Sequence, residues 1–252
     1  MVKRNIPYST KEYQHKLLDL YDCGDPNAPL FIFFHGGGLE GGDKGDGKVP
    51  YFTYLMERGI SVATADYTMY PTAKFPDFIF DGAECARWCK HHVPCGKIFI
   101  GGSSAGAYIS MMLAFDKSYL SQFGIANDDC REIAGYFFDG GQPTVHFNVL
   151  RERGLDSRLV RVDDAAAIYF VDQPHNPDTL PRYRFIYADN DMVNRLEQNR
   201  MMYRTMLHLG YPAEKVSHIC MEGYGHCEYN GVIDTDGLPL YGKMIESFIR
   251  GE

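Results

Sequence analysis

The 252-residue chain reads as an α/β protein: a mostly parallel central sheet with helices on both faces. Three observations point there. Short apolar runs alternate with longer stretches whose apolar residues recur at helical spacing. The runs, such as LFIFF at 30–34, are continuous rather than alternating, as expected of strands buried on both faces. One run, IFI at 98–100, passes through GGSSAG into small, helix-compatible residues.

Taken in order, YQHKLLDLY at 13–21 alternates polar and apolar and is expected as an edge strand. DPNAP is a turn, and LFIFFH at 30–35 is the first buried parallel strand. ISVATADY at 60–67 is the next. PDFIFDGAECARWCKHHV at 76–93 opens on Pro and carries Phe78, Ala83, Ala86 and Trp88 at about helical spacing. KIFIGG at 97–102 is a strand and AGAYISMMLAF at 105–115 a helix. Strands follow at 133–141, 183–189 and 216–223, with helices over 195–209 and 238–250. The stretch 142–180 breaks the rhythm. It is either a small helical excursion or an ordinary long connection.

Length and composition fit one large α/β domain over 1–252, able to bury about three quarters of its unfolded surface. Apolar residues make up 45% and charged residues 23%. A net charge of −8 argues against nucleic acid or an anionic membrane as partner. The first sixteen residues hold no apolar core of a signal peptide, and no run is long enough to span a bilayer, so a cytoplasmic location is expected. Seven cysteines without CxxC pairs read as free thiols. Cys85 and Cys89 lack a completing zinc-like pair and read as packing, so no metal is expected.

The pentapeptide GSSAG at 102–106 matches G-x-S-x-G, centred on Ser104. Alone it is common turn chemistry. Between a buried strand and a helix it reads as a nucleophile elbow, a sharp turn that lifts the central side chain. Gly102 and Gly106 leave room for the backbone crossing. Ala105 opens the helix, with its N–H available to an oxyanion at Ser104. Ser103 is expected to point away. After the first buried strand, HGGGLEGGDKGD offers bare backbone amides at Gly37 and Gly38. Preorganised donors of that kind are worth about 3 kcal/mol each to an oxyanion transition state. His35 is expected to anchor this loop. Glu40, Asp43 and Lys44 are expected as solvated loop charges.

HGGG, then DYTMYPTAKFPDFIFDGAECARW, then GGSSAG resembles the hormone-sensitive-lipase-like branch of the α/β-hydrolases, the bacterial esterase/lipase family. Tyr67, Pro71, Phe75, Pro76 and Asp81 stand where that family carries its Tyr–Pro–Phe–Pro segment and the following helix Asp. Leu39, Thr68 and Thr72 depart from its usual residues. The resemblance implies the α/β-hydrolase fold and a triad in chain order Ser, acid, His. In YADNDMV the family's D-x-x-V-like turn fits Asp191 with Val193 behind it, while Asp189 at the strand end is expected to brace the turn. For the base, His226 in MEGYGHCEY alone among nine histidines combines the right order with a loop after a strand.

The expectation is a serine carboxylesterase for small acyl esters, with Ser104, His226 and Asp191 as triad and Gly37, Gly38 and Ala105 as oxyanion donors. No metal or organic cofactor is required, and the partner is a small-molecule ester. An amidase, arylformamidase or peptidase would use the same tetrahedral intermediate. A non-catalytic receptor on a hydrolase fold is a third class, usually marked by a missing triad member. A homo-oligomer is compatible with the sequence. Too little chain outside the strand–helix core is left for a lipase lid, and the excursion's RERGLDSRLVRVDD is a poor lipid-facing surface.

Overall fold

A computed structural model describes residues 1–9, 16–45 and 50–252. Part of the strand expected over 13–21, and the end of the glycine loop, lie outside the described residues. Among the described residues, eight strands form one sheet in the order β1-β2-β4-β3-β5-β6-β7-β8. They are β1 (Val2–Pro7), β2 (Leu17–Tyr21), β3 (Leu30–Phe34), β4 (Ser61–Ala65), β5 (Ile98–Ser103), β6 (Gly135–Asp139), β7 (Arg182–Asn190) and β8 (Val216–Gly225). β1–β2 and β2–β4 are antiparallel, and every pairing from β4 through β8 is parallel. The α/β class expected from the apolar runs is the one observed.

The edge assignment of the second strand is corrected. β2 lies inside the sheet, and β1 covers its free side. The sequence of β1, VKRNIP, is almost wholly exposed and has no apolar face to betray it. It is held by backbone pairing and by Arg4, whose guanidinium meets the buried Asp19 carboxylate at 2.6 Å. These N-terminal residues are sheet, not spare chain.

Two apolar layers cover the faces. One lies under α2 (Asp77–His92), α3 (Ala105–Phe115) and α6 (Arg195–His208). The other lies under α1 (Tyr51–Glu57) and α7 (Leu240–Arg250). Helix α3 is buried along its whole length, as its scarcity of polar residues dictates; its one serine, Ser110, donates to the Gly106 carbonyl at 2.9 Å. Two short helices, α4 (Lys117–Ser121) and α5 (Phe147–Glu152), and α1 carry too few residues to show a period in sequence. The 142–180 stretch contains α5 and a single 3-10 turn, Ala167–Phe170. The seven cysteines are free. Among the described residues, no helix is long and apolar enough to cross a membrane.

The register brings the loops of interest to one end. Phe34 pairs with Gly102, Ser103 with Asp139, and Asp139 with Ile186. β7 and β8 run on until Asn190 meets Gly225. The residues after these carboxyl ends therefore converge, at the place where strand order reverses about β3 and β5.

Two expected outcomes follow from this framework. A Cβ on Gly106 would lie 1.9 Å from the Phe34 carbonyl oxygen, where only backbone could yield. Gly106→Ala should cost about 3 kcal/mol in urea denaturation. His146, the N-cap of α5, is fully buried, accepts the Asn148 N–H at 3.2 Å, and is held well below its ordinary pKa of 6.5, first by burial and then by Arg195 and Arg151. A base with a depressed folded-state pKa keeps its stabilising contribution above the unfolded value and loses it as pH falls below that value. Stability should thus fall more steeply below pH 6.5 than in His146→Asn, by up to about 1.4 kcal/mol per pH unit. Parallel pH profiles of the two proteins check this.

Candidate active site

Ser104 sits at φ 54°, ψ −110°, immediately before α3. That left-handed conformation is costly for a residue with a Cβ and persists only where the surroundings impose it. Here they do. The Ser104 N–H donates to the Asp139 carbonyl at 2.7 Å, and α3 is pressed onto β3 through Gly106. A Cβ on Gly102 would come within 2.4 Å of the Gly106 backbone. The two outer glycines of the pentapeptide are thus required by close approach, as the sequence implied. Ser103 turns to the other side. Its hydroxyl donates to Cys227 Sγ at 3.3 Å and accepts from Asn230 Nδ2 at 3.2 Å.

Three side chains from three separate strand ends meet in series. His226 Nε2 lies 2.8 Å from Ser104 Oγ, and His226 Nδ1 lies 2.6 Å from Asp191 Oδ1. The Asp191 carboxylate also accepts the Met192 N–H at 2.6 Å. The side chain of Asp191 is fully buried and that of His226 is 23% exposed, so the acid is sealed while the ring faces an opening. Asp189 goes elsewhere. Its Oδ1 accepts the Gly223 N–H at 2.8 Å and clamps β7 to β8. It braces the turn, as expected of a strand-end residue.

The glycine loop faces the same opening. Gly36, Gly37, Gly38, Ser104 and His226 line one cavity of about 520 Å³, with Phe33, Tyr51, Phe147 and Met192 as its apolar walls. Gly37 and Gly38 adopt φ 113° and 67°. Any Cβ on Gly37 would collide with the Gly41 carbonyl at 2.0 Å. Ala105 is buried directly behind Ser104, and its N–H, as the first of α3, has no acceptor within the helix. The loop is anchored as expected. His35 is buried, its Nδ1 lies 2.7 Å from the Gly36 carbonyl oxygen, and its ring stacks on Tyr67, whose hydroxyl donates to the His35 carbonyl. Asp81 accepts the Thr68 N–H at 2.8 Å and pairs with Lys16 at 2.6 Å, tying α2 to the segment that carries Tyr67. Lys44 is not a solvated charge: it is largely buried and pairs with Asp66 at 3.1 Å.

Sequence reasoning missed three supports. Asp139 is a fully buried carboxylate behind the His226 loop, where it accepts from Tyr229 and, at 2.9 Å, from Asn230 Nδ2. Burial raises its pKa against those hydrogen bonds. Its position at the end of a strand, level with Ser103, was the available signal. Asn148 on α5 donates to the Gly38 carbonyl, so the excursion holds the glycine loop. Glu152 of the same helix accepts from Tyr70 and, at 3.0 Å, from the Phe75 N–H. Cys227, next to His226, is half-buried, and desolvation pushes its thiol pKa up, which suits packing rather than a second nucleophile.

Comparison with known proteins agrees with this architecture. The protein-family model described as BD-FAE matches residues 18–133. Esterase LipI of Mycobacterium tuberculosis is 30% identical over 98 residues, covering 36% of this chain and 31% of that protein. The chain therefore spans under a third of the length of that curated relative. Tuliposide A-converting enzyme 2 of Tulipa gesneriana is 23% identical over 94% of this chain and 66% of its own length. Butyrate-bound esterase 2 of Thermogutta terrifontis superposes with a TM-score of 0.76 at 18% identity, covering 99% of this chain and 93% of that one. At that identity the likeness shows the fold. Taken with the strand order, it shows the α/β-hydrolase fold.

Proposed function

We propose that the chain is a serine carboxylesterase that hydrolyses small acyl esters through an acyl-enzyme. The observation that carries this reading is the unbroken series Ser104 Oγ, His226 Nε2, His226 Nδ1, Asp191 Oδ1, at 2.8 and 2.6 Å. His226 takes the Ser104 proton as Oγ attacks the ester carbonyl. The carbonyl oxygen, now negative, is received by the amides of Gly37, Gly38 and Ala105. His226 then protonates the leaving alcohol, the acyl–Ser104 ester remains, and water repeats the cycle. Asp191 holds the ring in the tautomer that leaves Nε2 free to accept, and stabilises the imidazolium.

The size of the acyl group follows from the cavity walls. Phe33, Tyr51, Phe147 and Met192 bound the space at Ser104. The excursion beside it interleaves the ion-paired Arg153, Arg158, Arg161, Asp156 and Asp163 with the exposed Leu159, Val160 and Val162, a mixed rather than a continuous apolar surface. A Thermogutta terrifontis structure of the same fold holds butyrate, which supports a short acyl group here.

Three outcomes test the reading. Ser104→Ala should lower hydrolysis of p-nitrophenyl butyrate by about 10⁴-fold or more with the melting temperature retained, because nucleophile and base act as a unit. Loss of activity in Ser103→Ala instead would refute the elbow assignment. Asp191→Asn should lower kcat by about 10⁴-fold through the wrong tautomer, whereas Asp189→Asn should act on stability. Across p-nitrophenyl esters, kcat/KM should peak between acetate and butyrate and fall by octanoate, since a buried methylene gains about 0.8 kcal/mol only where there is room. A rate still climbing at octanoate, or jumping above the micellar limit, would overturn the small-ester assignment.

A further inference from the structure

A second cavity, also of about 520 Å³, adjoins the first, and Phe147 and Met192 line both. Its other walls include Gln142, Leu159, Val193, Arg195 and Gln198. Its outer part is apolar, with Leu159, Met192 and Val193 exposed to solvent. Its floor is not. Arg195 is 3% exposed, and its Nη1 is buried with no hydrogen-bond partner. The rest of the guanidinium is thinly served: Nη2 donates to Gln142 Oε1 at 3.3 Å and lies 3.9 Å from Met192 Sδ. Among the described residues Arg195 makes no ion pair within 4.0 Å. Asp191, four residues earlier, acts on it only through space: its Oδ1 is taken by His226 and the Met192 N–H, and its Oδ2, buried and without a hydrogen-bond partner, makes no ion pair with the guanidinium within 4.0 Å.

Burying a guanidinium without a bound anion is costly, and a planar donor fork is suited to a carboxylate. Arg195 is also the first residue of the fourteen-residue α6, whose N-terminal dipole adds positive potential at the same wall. Arg158 stands among the lining residues as a second, exposed cation, paired with Asp156. The chain as a whole is acidic, at −8, so this cationic wall runs against its surroundings.

We infer that this cavity is a carboxylate subsite: the substrates of Ser104 are small esters that carry a free carboxylate on one arm, seated against Arg195. The inference rests on the esterase reading above and adds the charge of the substrate to it. The ester carbonyl sits in the first cavity, the apolar body passes Phe147 and Met192, and the carboxylate meets the unpartnered Nη1. No step of the hydrolysis changes. The subsite acts on binding and so on KM.

Two matched pairs test it on the full chain, one for each arm. On the acyl side the pair is mono-4-nitrophenyl glutarate and its methyl-capped diester. On the alcohol side it is 4-(butyryloxy)benzoate and its methyl ester. In one of the pairs the free acid should show a kcat/KM at least tenfold above its capped partner, mainly through KM. Arg195→Met should lower that ratio tenfold or more, and Arg195→Lys should restore part of it. A ratio near one in both pairs, or a ratio unchanged in Arg195→Met, overturns the subsite. Should Arg195→Met fail to fold, calorimetric titration of Ser104→Ala with the same esters reads the contact without turnover. Equal Kd values for acid and capped ester there overturn it equally. The esterase reading stands or falls separately, on whether the wild-type chain hydrolyses the neutral, capped esters at all.

Discussion

The contact between the Phe34 carbonyl and Gly106 sets the rest of the site. It lets α3 descend directly onto β3 at the point where β5 ends. Because the helix begins there, Ser104 has nowhere to go but the left-handed region, and its hydroxyl is raised above the sheet. Because β3 is the strand under the crossing, its own following loop, with Gly36 to Gly38, lies beside that hydroxyl. The strain at one residue is repaid by a fully buried, mostly apolar helix that leaves the backbone no alternative.

Around this fixed point the other parts are arranged by strand length. β7 and β8 each extend beyond their neighbours, and their last paired residues, Asn190 and Gly225, are followed directly by Asp191 and His226. The shared ends of these two strands thus deliver Asp191 and His226 together, with Asp189 clamping the two strands just below. Behind them Asp139, Tyr229 and Asn230 form a polar brace that holds the His226 loop against β6. A buried carboxylate is tolerable there only because it accepts hydrogen bonds from both neighbours.

Much of this was legible in the residues, and the reason is local. Apolar runs mark β3, β4 and β5 because burial on both faces demands it, and Gly-Ser-Ser-Ala-Gly marks the elbow because only glycine fits the crossing. Asp191 and His226 were readable because each follows a strand, and the structure hydrogen-bonds them in series with Ser104. What could not be read depends on contacts distant in sequence. β1 is exposed along its length, so only its pairing with β2 makes it a strand, and the edge was misplaced without it. α5 is six residues long and gains its role from the loop it touches. Arg195 looks like any helix arginine in sequence. Its burial comes from Gln142 and the residues packed across from it.

The bond from Asn148 to the Gly38 carbonyl bears on how the site meets its medium. Two links join α5 to the glycine loop. The outer one, Arg151 to Glu40, spans two half-exposed side chains at 2.7 Å and weakens as electrolyte screens it. The inner one is an uncharged amide on a buried residue, which ions in solution do not reach. The carbonyl of Gly38 is therefore held by a dipole shielded from the solvent. Salt weakens the outer fastening, while the inner one, whose amide oxygen also accepts from Arg151, keeps an uncharged bond to the Gly38 carbonyl.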